Sequence, residues 1–311
     1  KRSFGRKALT MLRTKLRAWR NDLLTPPVVA GEGGVLFLER GDCSSVEGKP
    51  RVAIVASWAR SPIVSRSLSA YLAELDRCGF ATIVVSSSEH SEPLEWPYGI
   101  PPTTIVVRRR NLGHDFGSWA AALEAFPTVR SADHVLLTND SMIGPLVPLS
   151  PILGKATSTE ANVVALTDSF QIGHSLQSYF MMFNRGVLQT TEWKAFFRGI
   201  RHQAEKLDVV FRYELAVAKI AVIGAYGWSA MFSAERVGAQ HRNPTLDHWK
   251  ELLDLGFPFV KRTLWTDPQF ADSARQAETY LKESFEIDAN AWLPPEPEPG
   301  IAERENVERK L

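Results

Sequence analysis

Residues 51–57 read RVAIVAS, and a second apolar run, FATIVVSSS, occupies residues 80–88. Between them, residues 62–78 carry apolar side chains at helical spacing. A strand, a helix and a second strand in this order predict a βαβ unit, whose two strands lie parallel. Both runs are apolar at nearly every position, which is typical of strands that helices cover on both faces of a sheet. This stretch therefore indicates the α/β class.

The same alternation continues along the rest of the chain. Further strands are predicted at Val35–Leu38, 103–108, 134–140, 162–168, 177–183 and 227–233. Helices are predicted at 116–126, 191–206, 209–222 and 268–285, and residues 241–256 read as a loop that opens a helix with Thr245 as its N-cap. This order predicts a Rossmann-type, mostly parallel sheet flanked by helices, in a single domain with helical extensions at both ends.

Composition limits the classes of protein to consider. The 311 residues are 44% hydrophobic and 23% charged, as in an ordinary globular protein, and the net charge of +1 gives no reason to expect a nucleic-acid partner. Cys43 and Cys78 form neither a CxxC motif nor a metal spacing, which favours a reducing compartment. The sequence has no phosphate loop, no dinucleotide fingerprint, no zinc-protease motif and no serine-esterase motif. Nucleotide hydrolysis by a phosphate loop, zinc proteolysis and serine-esterase chemistry are therefore poor hypotheses.

The two ends of the chain differ from its centre. Residues 1–21 contain eight Lys or Arg and no acidic residue, and an apolar stripe is formed by Leu9, Leu12, Leu16, Trp19 and Leu23. Such a helix lies either on an anionic membrane or on the body of the protein, with its basic face in water. Residues 293–311 have the composition of a mobile tail. The predicted boundaries are 1–50 for the lead-in, 51–265 for the domain and 266–311 for the C-terminal extension.

Polar side chains follow the predicted strands, at the edge where doubly wound sheets bind their ligands. The richest of these junctions is RRRNLGHDFGSWAAAL (108–123), which combines three arginines, two glycines, His and Asp with an alanine-rich helix. Arg108–Arg110 would either neutralise a diphosphate or form a solvated strand end. Trp119 is expected in the core, because it begins the helix.

Two carboxylates are candidates for chemistry. Asp140 follows a buried strand, where one of its oxygens could hold a divalent cation together with water and a pyrophosphate. The alternative is an Asp that caps the next turn through its own side chain. Glu214 is predicted in the first turn of an apolar-faced helix, where the helix dipole is a sufficient explanation and a general base is a second one. The residues alone leave both pairs of alternatives open.

Five separated blocks, in this order, resemble the rhamnan synthesis protein F family, bacterial glycosyltransferases that build rhamnose-containing polysaccharides. The blocks are NLGHDFGSW (111–119), LLTNDSMIGPL (136–146), LTDSFQIGHSLQSYFMMF (166–183), RYELAVAK (212–219) and NPTLDHWKELLDLGFPFVKR (243–262). The resemblance covers residues 51–265 and implies a GT-A-type fold, a nucleotide-sugar donor and transfer to a sugar hydroxyl.

The resemblance also implies roles for individual residues. The donor would be bound by Ser57, Ser87, Asn111, Gly113, Asp115, Asn139, Lys261 and Arg262. Asp140 would hold Mg²⁺ or Mn²⁺, although Asn-Asp-Ser stands where the fold has Asp-x-Asp, which leaves the need for a metal open. Glu214 would be the catalytic base and Asp168 its competitor. The acceptor side would be lined by His174, Gln177 and Tyr179.

The implied reaction transfers L-rhamnose from dTDP-β-L-rhamnose, with inversion, to a hydroxyl of a growing surface polysaccharide or lipopolysaccharide. The expected partners are the nucleotide sugar and a glycan or lipid-linked glycan acceptor. The expected location is the cytoplasm, with residues 1–24 as a peripheral contact on the inner membrane. The alternatives are another nucleotide-sugar donor, or a non-catalytic member that binds glycan or organises a polysaccharide-assembly complex.

Overall fold

The computed structural model describes residues 24–88, 90–203 and 206–295. Most of the predicted basic helix, residues 1–23, and the tail beyond residue 295 lie outside the described residues. Within the described ranges, no helix is both long enough and apolar enough to cross a membrane.

A mixed sheet forms the centre of the molecule. The strands of the described chain are β1 (Phe37–Arg40), β2 (Arg51–Ser57), β3 (Ala81–Ser86), β4 (Ile105–Arg108), β5 (His134–Asn139), β6 (Met142–Ile143), β7 (Val163–Ser169), β8 (Ser175–Leu176), β9 (Phe180–Asn184), β10 (Trp228–Phe232) and β11 (Val260–Lys261). The main sheet has the order β1-β4-β3-β2-β5-β9-β7-β10, and β8 pairs with β7 outside this path. A separate two-stranded ladder joins β6 to β11.

Most of the sheet is parallel, as the sequence predicted. The strands β4, β3, β2 and β5 are mutually parallel neighbours, and β10 lies parallel to β7. Three strands run the other way: β9 between β5 and β7, β1 at the edge beside β4, and the short β8 beside β7. Because β9 alone separates β5 from β7, the carboxyl ends of these two strands lie about 10 Å apart at one edge of the sheet.

Helices cover both faces of the sheet. They are α1 (Arg66–Arg77), α2 (His114–Ala125), α3 (Ser150–Ser158), α4 (Thr191–Arg198), α5 (Lys206–Val209), α6 (Leu215–Ile223), α7 (Pro244–Asp247), α8 (Trp249–Asp254), α9 (Thr263–Thr266) and α10 (Ala271–Phe285). One hydrophobic cluster packs α1, α8 and α10 against the sheet, and a second cluster packs α2 and α4 against the opposite face. Trp119 lies in the second cluster, as expected, and its indole N–H donates to the Thr138 carbonyl at 3.0 Å.

Several predicted boundaries are wrong. The first strand begins at Phe37 rather than Val35, and the helix expected to reach residue 206 ends at Arg198. Gly199 follows that helix, and the Ile200 carbonyl accepts from the Val28 N–H at 2.7 Å, which draws the chain towards the N-terminal segment.

The N-cap predicted at residue 245 is also wrong. Asn243 is the N-cap of α7, and its side-chain oxygen accepts from the Thr245 N–H at 3.1 Å.

The prediction of Glu214 in the first turn of a helix is wrong as well. Glu214 ends a π-helical turn, Val210–Glu214, that joins α5 to α6 within one helical run. The described part of this run begins at Lys206, two turns earlier. The helix dipole acts mainly within the first turn, so it does not account for an acid at this position.

The three arginines at the start of the stretch 108–123 have structural partners. Arg108 pairs with Glu39 of β1 at 3.3 Å, and Arg110 forms an exposed pair with Glu32. Arg109 is buried and donates to the Gly33 carbonyl at 2.9 Å and to the Ser118 hydroxyl at 3.0 Å. Burial lowers the pKa of the Arg109 guanidinium to about 10. Only Arg110 fits the description of a solvated strand end.

Candidate functional site

The carboxylate of Asp140 lies just after β5, at the carboxyl edge of the sheet. One oxygen, Oδ2, accepts from the Ser57 hydroxyl at 2.8 Å and from the Trp58 N–H at 3.2 Å. The other oxygen, Oδ1, faces the Arg262 guanidinium at 3.8 Å, and the side chain is 13% exposed. These contacts join Asp140 to the loop after β2 and to the C-terminal part of the chain. In the alternative interpretation, Asp140 would accept hydrogen bonds from the turn that follows it; its carboxylate instead accepts from Ser57 and Trp58.

Asn139, the preceding residue, makes the turn that was considered for Asp140. Its side-chain oxygen accepts from the Ser141 N–H at 3.1 Å and from the Ser141 hydroxyl at 2.7 Å. Its amide nitrogen donates to Oδ2 of Asp115 at 2.7 Å. Because successive side chains of a strand point to opposite faces, Asn139 reaches α2 while Asp140 reaches Ser57.

Asp115, in the first turn of α2, is the second carboxylate at this edge. Burial raises the pKa of Asp115, and the negative charge of Asp140 raises it further. The hydrogen bond from Asn139 and the positive charge of Lys261 act in the opposite direction. Two carboxylates that repel each other at a strand end form a site that gains from a bound cation.

Lys261 and Arg262 are delivered to the same edge by the ladder between β6 and β11. Lys261 pairs with Met142 in this ladder, and the Arg262 N–H donates to the Ser141 carbonyl at 3.0 Å. The Lys261 ammonium donates to the Ser141 hydroxyl at 3.1 Å and lies 5.1 Å from the centre of the Tyr179 ring. The structure therefore places both basic residues beside the Asn139–Ser141 turn.

Ser57 and Ser87 are neighbours at the ends of β2 and β3. Both are buried, and the Ser87 N–H donates to the Ser57 carbonyl at 2.9 Å. Ser57 also holds Asp140, so these serines belong to the same edge as the carboxylate. Their predicted contact with the donor stays a prediction.

Asn111 and Gly113 lie in the loop between β4 and α2. Asn111 is half-buried, and Gly113 has a left-handed backbone with φ of 86°. The Gly113 N–H donates to Nδ1 of His202 at 3.1 Å, and a Cβ at this position would lie 2.9 Å from the Val28 side chain. These contacts give Gly113 a packing role, while its contact with a donor stays a prediction.

Asp168 and His174 form a hydrogen-bonded pair at the end of β7. Oδ1 of Asp168 accepts from the Ala234 N–H at 2.7 Å, and Oδ2 is 2.9 Å from Nε2 of His174. Asp168 is 5% exposed, whereas the His174 side chain is 41% exposed; its ring stacks on Phe170 and makes a tilted contact with Trp228. The carboxylate is therefore enclosed, and the imidazole is the member of the pair that solvent reaches.

The remaining predicted residues extend from this edge into the core. Glu214 is half-buried and accepts from the Ser178 hydroxyl at 2.6 Å. Gln177 and Tyr179 are buried and share the hydroxyl of Thr167, at 2.6 Å from each. Burial raises the pKa of the Tyr179 hydroxyl, so this group stays protonated. Gln177 and Tyr179 are core polar residues, with the Tyr179 ring below Lys261 as the part nearest the proposed site.

Two small cavities, both open to solvent, meet at Asp140. The first lies between α1 and β5 and is lined by residues that include Ser67, Tyr71, Tyr179 and Phe259. The second is lined by residues that include Ser57, Ser61, Ser88, Leu94 and Pro294.

The oxygen ligands around Asp140 suit a hard divalent cation such as Mg²⁺ or Mn²⁺. Asp140 and Asp115 supply carboxylate oxygens and Ser141 supplies a hydroxyl, which are ligands that such ions prefer. In the described part of the chain, no three His, Cys, Asp or Glu side chains form a metal-binding group. An ion held here would take its other ligands from water and from a diphosphate, as Mg²⁺ commonly does. Lys261 and Arg262 supply positive charge at the same place.

Several residues of the site were not predicted from the sequence. Ser67, Tyr71 and Phe259 line the first cavity, and Pro294 lines the second. One sequence signal was available: the serine-rich stretch SPIVSRS (61–67) follows β2, at the end of the sheet where ligands bind. The sequence has no such signal for Pro294, because this residue lies more than 200 residues along the chain from the stretch 61–67.

Comparison with known proteins relates the chain to bacterial sequences. The family described as rhamnan synthesis protein F matches residues 98–290. Virulence protein VirA of Vibrio anguillarum (strain ATCC 68554 / 775) is 28% identical over 195 residues, covering 52% of this chain and 62% of VirA. Protein y4gN of Sinorhizobium fredii is 22% identical over 172 residues, covering 52% of this chain and 44% of y4gN. The chain therefore spans less than two thirds of these curated relatives.

Solved structures of glycosyltransferases also align with the chain. The mannosyltransferase PcManGT from Pyrobaculum calidifontis, in complex with GDP-Man and Mn²⁺, is 14% identical, with 99% of this chain and 91% of that chain covered and a TM-score of 0.36. The apo-form glycosyltransferase GlyE of Streptococcus pneumoniae TIGR4 is 10% identical, with 68% and 54% covered and a TM-score of 0.33. At these TM-scores the two likenesses carry no argument about this chain.

The family match begins at residue 98 and continues to residue 290. It includes all five sequence blocks but not β2 and β3, so the domain boundaries at residues 50 and 265 stay a prediction. The matched stretch is more than half of the chain. The resemblance found in the sequence is thereby confirmed, and the chain belongs to the rhamnan synthesis protein F family.

Proposed function

We propose that the protein is a GT-A-type glycosyltransferase that moves a sugar from a nucleotide donor to a hydroxyl of a bacterial surface polysaccharide or lipopolysaccharide. The observation that carries the proposal is the environment of Asp140. Its carboxylate is held at the carboxyl edge of the sheet, faces a guanidinium and opens to two cavities. Ligands of open α/β sheets bind at this edge. Membership of a family named for rhamnan synthesis supports the sugar chemistry.

The proposed donor is dTDP-β-L-rhamnose. The family name supports rhamnose, and direct displacement at the anomeric carbon inverts a β-linked donor to an α-linked product. Ser57, Ser87, Asn111, Gly113, Asp115 and Asn139 are the proposed donor-binding residues. Another nucleotide sugar would use the same edge of the sheet, and only the residues around the base and the sugar would differ.

The leaving group sets the electrostatic requirement of this reaction. Cleavage of the donor leaves a nucleoside diphosphate, whose developing negative charge must be stabilised. Lys261 and Arg262 lie beside Ser141 and Asp140, where they would meet such a diphosphate. A divalent cation at Asp140, when bound, would add further positive charge that stabilises the diphosphate. Asp115 and Asp140 would hold that cation.

The acceptor hydroxyl must lose its proton as its oxygen attacks the anomeric carbon. We assign proton removal to Glu214, which is half-buried with one oxygen held by Ser178. The new bond forms between the oxygen of the acceptor hydroxyl and the anomeric carbon. The bond from that carbon to the diphosphate breaks, and its electron pair leaves with the diphosphate. Asp168 is less suited to proton removal, because it is only 5% exposed, whereas Glu214 is half-buried. We assign to Asp168 the orientation of His174 towards the acceptor.

The proposed acceptor is a glycan or lipid-linked glycan at the cytoplasmic face of the inner membrane. Residues 1–24 support this location through their basic charge and apolar stripe, which suit an anionic lipid surface. A helix docked on the protein itself would satisfy the same pattern. Vesicles with and without anionic lipid would distinguish the two, because only the membrane contact depends on lipid charge.

The first test is binding of nucleotide ligands, measured as a shift in thermal stability. The panel contains dTDP, UDP and GDP with their sugars, each with and without Mn²⁺. A ligand at about 100 times its Kd adds about 2.7 kcal/mol to the free energy of unfolding. We expect the largest shift with dTDP-rhamnose, and its loss in Asp140→Asn. Asp272→Asn is the control, because Asp272 is an exposed carboxylate that pairs with Arg275 on α10.

The outcomes separate the candidate functions. A shift with UDP or GDP compounds alone would keep the glycosyltransferase and replace its donor. Absence of a shift with every nucleotide, in a protein that binds isolated rhamnan, would support the non-catalytic glycan-binding member instead. Transfer of labelled rhamnose to a rhamnan oligosaccharide then tests catalysis directly.

A further inference from the structure

The second cavity at Asp140 combines two kinds of lining. Hydroxyl groups come from Ser57, Ser61 and Ser88, while Ile63 and Leu94 are apolar. A nucleoside has the same two kinds of surface, because its base has apolar faces and a polar edge and its ribose carries hydroxyls. Asp140 belongs to both cavities, so a diphosphate beside it would point its nucleoside into this one.

One further apolar residue of this cavity, Pro294, comes from the far C-terminal part of the chain. The chain leaves α10 at Phe285, and Glu286 then takes a left-handed conformation with φ of 56°. Asp288 caps a short 3-10 turn, Ala289–Trp292, by accepting from the Asn290 N–H at 3.0 Å. Pro294 follows this turn by two residues.

Three contacts hold this C-terminal segment, residues 286–294, against α1. Ala289 is buried in the hydrophobic cluster that contains Leu68 and Leu72. The Arg66 guanidinium, at the first residue of α1, lies 5.2 Å from the centre of the Trp292 ring. The turn Ala289–Trp292 packs on α1, the helix whose first residues line the same cavity. The position of Pro294 therefore follows from the packing of the turn Ala289–Trp292 on α1.

Proline is suited to a wall of this kind. Its ring fixes φ near −65° and its nitrogen carries no hydrogen, so it offers a rigid apolar surface and makes no competing N–H hydrogen bond. A base that enters the cavity would lose water from its faces against Pro294, Ile63 and Leu94, and burial of apolar surface contributes about 25 cal/mol per Å².

We propose that the C-terminal segment is part of the donor-binding site, with Pro294 as a wall of the nucleoside pocket and Trp292 as the residue that holds this wall on Arg66. The inference rests on the proposed function, because it assigns the second cavity to the nucleoside of the donor. The C-terminal segment would then help to select the nucleoside of the donor, although it lies far along the chain from β2 and outside the five sequence blocks.

Isothermal titration with two ligands tests this assignment. The first ligand is dTDP, which carries a nucleoside, and the second is inorganic pyrophosphate, which carries only the charged part. The variants are Trp292→Ala combined with Pro294→Ala, and the matched control Pro295→Ala, at an exposed proline one residue farther along. We expect the double variant to raise the Kd of dTDP at least tenfold and to leave the Kd of pyrophosphate within twofold. Pro295→Ala should change neither value.

Each other result decides against one of the two proposals. Equal dTDP affinity in the parent and the double variant would overturn the role of the C-terminal segment and leave the proposed function intact. Equal loss of dTDP and pyrophosphate binding would also overturn it, since the effect would then extend beyond the nucleoside. If the parent chain binds no nucleoside diphosphate at all, the proposed function itself fails.

Discussion

Substitution of Asp140 by Ala separates the structural and functional parts of its role. The carboxylate accepts hydrogen bonds from the Ser57 hydroxyl and the Trp58 N–H. Hydrogen bonds to charged groups contribute about 1.5–3 kcal/mol each. Trp58 is 39% exposed, so water can replace part of what is lost. We therefore expect Asp140→Ala to lower the free energy of unfolding by about 1.5–3 kcal/mol, which corresponds to a fall in Tm of several degrees.

The functional loss should be far larger than this stability loss. Without the Asp140 carboxylate, the protein would not hold the cation that binds the diphosphate. We therefore expect titration to detect no metal-dependent binding of dTDP by the variant. Asp42→Ala is the matched control, because Asp42 also accepts from one backbone N–H and one serine hydroxyl, both of Ser44. Metal-dependent binding in Asp140→Ala within twofold of the parent would refute the role of Asp140. Loss of the cooperative unfolding transition would show that the residue is structural instead.

Four further substitutions and one control test the site and its scaffold. Burial raises the pKa of Asp115, so its contribution to stability is present below its unfolded pKa and is lost as pH rises through its folded pKa. Asp115→Asn should therefore be more stable than the parent at pH 7 in urea unfolding, with a difference that disappears towards pH 4; a constant difference would contradict the assignment. Glu214→Gln should bind dTDP normally and lose turnover, whereas Asp168→Asn should mainly raise the KM of the acceptor; normal turnover in the first variant would place the proton acceptor elsewhere. Gly117→Ala would bring a Cβ within 2.2 Å of the Leu112 carbonyl oxygen and should lower the free energy of unfolding in urea by about 1–3 kcal/mol. Gly154→Ala is the control, because a Cβ there has open space and should not lower it. Equal effects of the two substitutions would contradict this account of the α2 packing.

The positions of the strands along the chain were the part of the fold that the sequence predicted best. The apolar runs of β2, β3, β5 and β7 lie within two residues of their predicted bounds, because strands covered on both faces need apolar residues at nearly every position. Helix ends were predicted less well. The end of α4 depends on a hydrogen bond between Val28 and Ile200, and no local pattern reveals a contact between residues so far apart in sequence.

The candidate site was predictable in its residue types more than in its geometry. Asn139 and Asp140 were both identified, but which of the two makes the turn depends on the side of the sheet that each side chain faces. The ladder between β6 and β11 was not predicted, since each strand has two residues and the periodicity of so short a segment carries no signal. Glu214 was misplaced because it belongs to a π-helical turn inside one helical run, and the local sequence does not show where that run begins.

The ladder between β6 and β11 has a consequence for how this chain can diversify. It closes a long excursion at its base, where the Leu146 N–H also donates to the Pro258 carbonyl at 2.8 Å. The excursion contains β7 to β10 and the residues proposed for the acceptor, while the proposed cation and nucleoside contacts lie on its rim or outside it. Because the ladder fixes its two ends beside each other, the loops of this excursion can vary in length without moving Lys261 and Arg262 away from the Asn139–Ser141 turn. Acceptor choice would then change in those loops, while β7 and β9 keep their places in the main sheet beside β5.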